Sequence, residues 1–174
     1  MDPSVAKTES VSLIGMAGAG KSTLGRNLAK RLDWAFVDTD SLMEAYWGQD
    51  LQDLYDAVGR ETFLELESFQ VRNLGLNRAV IATGGSVVYS ARAVERLKLL
   101  GHVVFLHIDL DTFLNRVGPA VGRAFARPPD KSLQDIFEER QPLYRAAADL
   151  TVSTQGRGVD ACVDEITAWM ERKA

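Results

Sequence analysis

Gly15-Met16-Ala17-Gly18-Ala19-Gly20-Lys21-Ser22 is the stretch that decides the fold. It matches the pattern G-x-x-x-x-G-K-[ST], follows an apolar run at residues 11–14, and opens a segment with Leu24, Leu28 and Leu32 at four-residue steps. Strand, glycine-rich loop and helix form the context in which this pattern wraps a chain of phosphates. The glycines let the backbone curl until consecutive N–H groups point inward, and the helix N-terminus adds the positive end of its dipole. Gly15, Gly18, Ala19, Gly20, Lys21, Ser22 and Thr23 are therefore candidates for holding ATP. Lys21 brings a full charge to the β- and γ-phosphates, and the Ser22 hydroxyl suits Mg²⁺.

Working outward, apolar runs of strand length recur at residues 35–37, 79–82, 103–108 and 150–152. Several are continuous instead of alternating, as parallel strands buried on both faces are. Helix-period segments separate them, with Phe63, Leu66, Phe69 and Gln70 in one and Ile136 and Leu143 in another. Alternation of this kind predicts βαβ units with right-handed crossovers in an α/β fold. The chain of 174 residues has the size of one domain. Residues 1–10 read as a flexible lead-in.

Asp38-Thr39-Asp40 follows the second run, at the carboxyl edge of the sheet where open α/β folds bind ligands. Alternation along an extended chain would point Asp38 and Asp40 the same way, roughly 7 Å apart, one toward a metal and one toward an acceptor. The alternative is that the pair caps a helix starting near Ser41. Residues 118–131, GPAVGRAFARPPDK, break the alternation with a basic, proline-bearing loop. Loops of this length are usually functional or mobile, the alternative being a solvated insertion. Ser132 and Asp135 form a helix-start signal on its far side.

With 20 basic against 24 acidic residues, the chain lacks the cationic surplus that binds nucleic acid. No 18-residue apolar run or signal-peptide pattern opens it, so no membrane partner is expected. The lone Cys162 cannot form an internal disulfide, which fits a reducing cytoplasm; the chain is expected to act as a monomer. Cys162 falls at helical spacing with Val159, Val163, Ile166 and Trp169 and reads as inert core. His102 and His107 read as structural, because a two-histidine chain offers no further imidazole for a metal cluster. Trp34, Trp47 and Trp169 read as core or pocket wall.

Four further segments carry a family resemblance. Gly59-Arg60-Glu61-Thr62-Phe63-Leu64-Glu65-Leu66-Glu67 resembles a G-E-x-x-F-R-x-x-E helix, and Thr83-Gly84-Gly85-Ser86 resembles a triple-glycine turn. Arg127-Pro128 resembles the start of an R-P-L-L lid, and Glu139-Arg140-Gln141-Pro142-Leu143-Tyr144 resembles an E-R-x-x-L-Y helix. Over about residues 11–173 the chain thus resembles the shikimate kinase family, within the nucleoside monophosphate kinase-like P-loop group.

The resemblance implies a three-layer P-loop kinase fold whose five-stranded parallel sheet has the order 2-3-1-4-5, with helices on both faces. It also implies an acceptor-binding subdomain at about 41–78 and a lid at 118–131. By the same resemblance Lys21 and Ser22 would meet the phosphates and Mg²⁺, Asp38 would lie near the metal through water, and Asp40 would meet the acceptor hydroxyls. Gly84, Gly85 and Arg140 would line the acceptor pocket, Arg127 would close on the transferring phosphate, and Arg116 would pack against adenine.

Four positions depart from the family's pattern. Leu64 stands where the family places an arginine that pairs with the shikimate carboxylate, Ser86 replaces the third glycine, Arg60 replaces a glutamate, and the lid reads R-P-P-D. Arg60 lies one helical turn before Leu64, on the same face, and a guanidinium there could reach the vacated space. The alternative is a solvated Arg60 paired with Glu61 or another surface acid. The acceptor expected is shikimate; another hydroxy acid or polyol, or a non-catalytic nucleotide-binding module, are the competing readings.

Overall fold

The computed structural model describes residues 9–117, 126–128 and 130–173. Five strands, β1 (Ser10–Ile14), β2 (Ala35–Asp38), β3 (Ala79–Ala82), β4 (Gly101–His107) and β5 (Leu150–Ser153), form one sheet in the order β2-β3-β1-β4-β5. All four pairings are parallel. Each apolar run in the sequence became a strand; the fourth ends at His107, with Ile108 buried just beyond it. The continuous runs are those of the interior. β1 and β3 are buried along their whole length, whereas β2 at the edge is partly exposed.

The register of β1 against β4 begins at Ser10 opposite Gly101. Gly101 has φ 152°, and a Cβ there would lie 2.0 Å from the Ser10 carbonyl oxygen. Only glycine permits that approach.

Seven helices pack around the sheet among the described residues: α1 (Lys21–Leu32), α2 (Thr39–Trp47), α3 (Leu51–Arg72), α4 (Ala91–Leu100), α5 (Leu110–Val117), α6 (Leu133–Ala147) and α7 (Val159–Glu171). A 3₁₀ turn at Val87–Tyr89 precedes α4. The Ser132–Asp135 capping box opens α6 as the sequence predicts. α3 is interrupted at Gly59, whose φ of 76° and ψ of 168° are not helical. The break separates the helical segment beginning at Arg60 from the one before it.

A large apolar core lies on the sheet. A second, smaller one joins Met43 of α2 to Leu54 and Phe63 of α3 and to Ala126, with Leu64 packed against it. Cys162 is buried, His102 lies edge-on to Trp169 at 4.9 Å, and His107 lies edge-on to Phe105 at 5.6 Å. Trp47 departs from expectation: it is exposed and packs edge-on against Tyr46 at the end of α2. No helix among the described residues is long and apolar enough to cross a membrane.

The topology places a crevice. β1 lies between β3 and β4; the connection after β1 runs to β2 on one side while that after β3 crosses to β4 on the other, and at such a switch point the loops after the strands diverge. The glycine-rich loop follows β1, Asp38 ends β2, and Thr83-Gly84-Gly85 follows β3. Three loops far apart in sequence therefore meet at one sheet edge.

Candidate active site

A cleft of about 670 Å³ opens there, lined by Lys21, Ser22, Asp38, Asp40, Gly85 and Arg140 among others. Gly20, at φ 91°, is the N-cap of α1, and Lys21 is its first residue. The Lys21 Nζ donates to the carbonyls of Gly15 at 2.8 Å and Met16 at 2.9 Å, folding back over its own loop. Burial, which penalises the charged ammonium, pushes its pKa down to about 8 against the pull of the Asp40 and Asp38 carboxylates. Phosphate anions would supply the charge that the loop carbonyls supply only in part.

The Ser22 hydroxyl donates to Asp38 Oδ2 at 2.6 Å, and Asp38 Oδ1 accepts the backbone N–H of Asp40 at 3.1 Å. The alternation argument for Asp38 and Asp40 does not hold, because the chain turns helical at Thr39. Asp38 is the N-cap of α2 and Asp40 lies in its first turn. Both readings of the pair are thus partly met: Asp38 caps a helix, and both residues still line the cleft.

Asp40, Glu67 and Arg140 converge on the turn after β3. A Cβ at Gly84 would lie 2.7 Å from Asp40 Oδ1 and 2.0 Å from Glu67 Oε1, so those two carboxyl groups occupy the space a side chain would need. Gly84 N–H donates to Thr39 Oγ1 at 3.1 Å, and the Tyr144 hydroxyl donates to the Gly85 carbonyl at 2.6 Å, which fixes the turn. Arg140 is only 2% exposed; its Nε donates to the Tyr89 hydroxyl at 3.2 Å.

Residues 17–171 match the family model described as shikimate kinase. The chain belongs to the shikimate kinase family. Relatives in this family include the shikimate kinase of Chromohalobacter salexigens, 38% identical over 159 residues that cover 90% of this chain and 88% of that one. The shikimate kinase of Francisella tularensis subsp. novicida is 34% identical over 168 residues, covering 94% and 96% of the two chains. The solved structure of the Acinetobacter baumannii shikimate kinase in complex with shikimate superposes with a TM-score of 0.84 at 29% identity, covering 95% and 94%.

Against the family's pattern, the residues matched by sequence divide into two groups. Lys21, Ser22, Asp38, Asp40, Gly85 and Arg140 meet in the cleft, and Gly84 abuts Asp40. Arg116 and Arg127 are not among the residues that line it. The Arg116 guanidinium donates to the Gly18 carbonyl at 2.7 Å and so rests on the phosphate loop. Arg127 is exposed, and its Nη1 donates to the Lys131 carbonyl at 2.8 Å. Residues 118–125 and 129 of the expected lid lie outside the described residues.

Glu67 was not singled out for a role from the sequence, yet it is the most perturbed carboxyl of this family site. Burial raises its pKa to about 7, with the Asp40 carboxylate adding to the rise and a Ser86 hydrogen bond opposing it. At pH 5 it is protonated when folded but largely ionised when unfolded. Stability therefore falls as pH rises from about 4.5 toward 7 and levels off above that. Glu67→Gln removes the titration, so relative to the parent it should gain stability between pH 5 and pH 8, by roughly 2–3 kcal/mol from a shift of this size. Urea denaturation of both proteins at the two pH values checks this; a pH-independent difference would mean that Glu67 ionises as an ordinary carboxyl.

Proposed function

We propose that this protein is an ATP-dependent kinase that transfers the γ-phosphate to a hydroxyl of shikimate, forming a phosphate monoester and ADP. The observation that carries the reading is the convergence of a phosphate-binding lysine, Lys21, and an acceptor-side carboxylate, Asp40, in one cleft with the buried Arg140. A nucleotide-binding module without catalysis has no use for the second and third.

Ser22 and Asp38 suit Mg²⁺, because a hydroxyl and a carboxylate oxygen 2.6 Å apart are hard donors beside the phosphate loop. Bound there, Mg²⁺ would neutralise charge on the β- and γ-phosphate oxygens. Lys21 turns from the Gly15 and Met16 carbonyls to those oxygens. Asp40 orients the acceptor hydroxyl and takes its proton as the new O–P bond forms. The bond from the γ-phosphorus to the bridging oxygen breaks, and its electron pair leaves with ADP. Gly84, Gly85 and Arg140 hold the acceptor, Arg127 closes on the transferring phosphate from the lid, and Arg116 packs beside adenine.

The test is coupled ADP release with ATP and Mg²⁺ over a panel of hydroxy acids and sugars. Saturable, shikimate-dependent release is the expected result. Faster turnover with a different hydroxy acid or polyol would reassign the acceptor, and release that no acceptor raises above ATP alone would end the kinase reading.

A further inference from the structure

The acceptor side has an apolar residue, Leu64, facing a cavity of about 550 Å³ that it lines together with Ser86 and Tyr89. Ser86 also lines the active-site cleft, so the two spaces meet at that residue. One turn before Leu64, the half-buried Arg60 extends its guanidinium to 5.5 Å from the centre of the Tyr89 ring. From α6, the buried Arg140 brings its guanidinium to 5.0 Å from the same ring and bonds the ring's hydroxyl. Arg60 is not solvated beside Glu61. Its Nε donates to the Ala126 carbonyl at 2.9 Å, which anchors the side chain across α3.

Two guanidiniums drawn to one aromatic ring are each attracted by the ring's face and repelled by one another. An anion between them removes the repulsion, and a carboxylate matches the donor geometry of both. The residue that gathers them is Tyr89, which contacts one by its ring and the other by ring and hydroxyl. Its hydroxyl, after the Lys131 ammonium, also helps hold the Glu139 carboxyl below its ordinary pKa, tying the same group to the residues that follow the lid.

We infer that Arg60, held with Arg140 by Tyr89, is a specificity-determining residue that receives the carboxylate of the acceptor in place of an arginine at position 64, with Tyr89 as its positioning residue. This rests on the reading that the acceptor is a hydroxy acid. The arrangement makes the acceptor's charge, and not only its hydroxyls, a condition for tight binding. It also ties acceptor capture to the end of the lid, because Ala126 receives Arg60 and the Arg127 carbonyl receives the Tyr55 hydroxyl at 3.0 Å.

Steady-state kinetics with shikimate and with its uncharged carboxamide test this. Arg60→Ala should raise KM for shikimate tenfold or more, the loss expected for one charge-assisted hydrogen bond, with a smaller fall in kcat. It should change KM for the carboxamide by less than threefold, and Arg60→Lys should recover part of the loss. Tyr89→Leu should reproduce the selective rise for the acid, whereas Tyr89→Phe, which keeps the ring, should show a smaller one. An Arg60→Ala enzyme with unchanged KM for shikimate, or with equal rises for acid and carboxamide, overturns the inference while leaving the kinase reading intact. Parent protein that turns over no carboxylate-bearing acceptor overturns both the inference and the shikimate assignment.

Discussion

Lys21→Ala should lower kcat by roughly 10³-fold, the scale of losing a preorganised group that stabilises transition-state charge, while the protein stays folded. Phosphoryl transfer asks little covalent chemistry of the protein and depends on positioning and charge. Lys21, the first residue of α1, would supply both; its Nζ donates hydrogen bonds to the Gly15 and Met16 carbonyls and feels the Asp40 and Asp38 carboxylates. The fold should survive because no core packing rests on the side chain. Its depressed pKa has the same consequence: the charged ammonium is disfavoured by burial, so below about pH 8 the folded state carries a penalty that alanine does not. Circular dichroism and thermal melting at pH 7 would establish folding, and ADP release would measure the loss. A folded variant within tenfold of the parent would mean that transfer does not depend on this cradle.

Asp40→Asn should lower kcat by at least about 10², within the range attributed to a general base, and should raise the acceptor KM while leaving ATP affinity within about twofold. The amide keeps the shape and the ability to orient a hydroxyl but cannot take its proton. The position is constrained: the first turn of α2 holds Asp40, and its carboxyl sits in space that a side chain at position 84 would fill. The substitution also removes a carboxylate that raises the pKa of Glu67, so Glu67 should titrate lower in the variant. Weaker nucleotide binding with normal acceptor kinetics would reassign Asp40 to the nucleotide.

Much of this was legible in the residues themselves. The phosphate loop could be read because its glycines, lysine and serine each answer a requirement of phosphate geometry, and the buried strands because continuous apolar runs have few other uses. The order of strands came from the family resemblance, since periodicity says which segments are strands and not which lie side by side. Asp38 and Asp40 were assigned to the cleft for a reason that fails, as extended-chain alternation stops where Asp38 caps α2. Glu67 stayed hidden because, beside Glu61 and Glu65, one more glutamate in a helix reads as a solvated face. Its burial follows from the packing of α3 on the turn after β3, a contact between residues far apart in sequence. Tyr89 was hidden likewise, because its meaning depends on arginines from α3 and α6 that only the fold brings to one ring.

The central claim is that the γ-phosphate goes from ATP to a hydroxyl acceptor in this cleft, and phosphorus NMR of the protein with ATP, Mg²⁺ and shikimate tests it most directly. The account predicts that loss of the γ-phosphate signal is matched by a new phosphate-monoester signal and by ADP, with inorganic phosphate no higher than in a control lacking shikimate. A γ-phosphate that remains on ATP, or appears only as inorganic phosphate at a rate shikimate does not change, would contradict it.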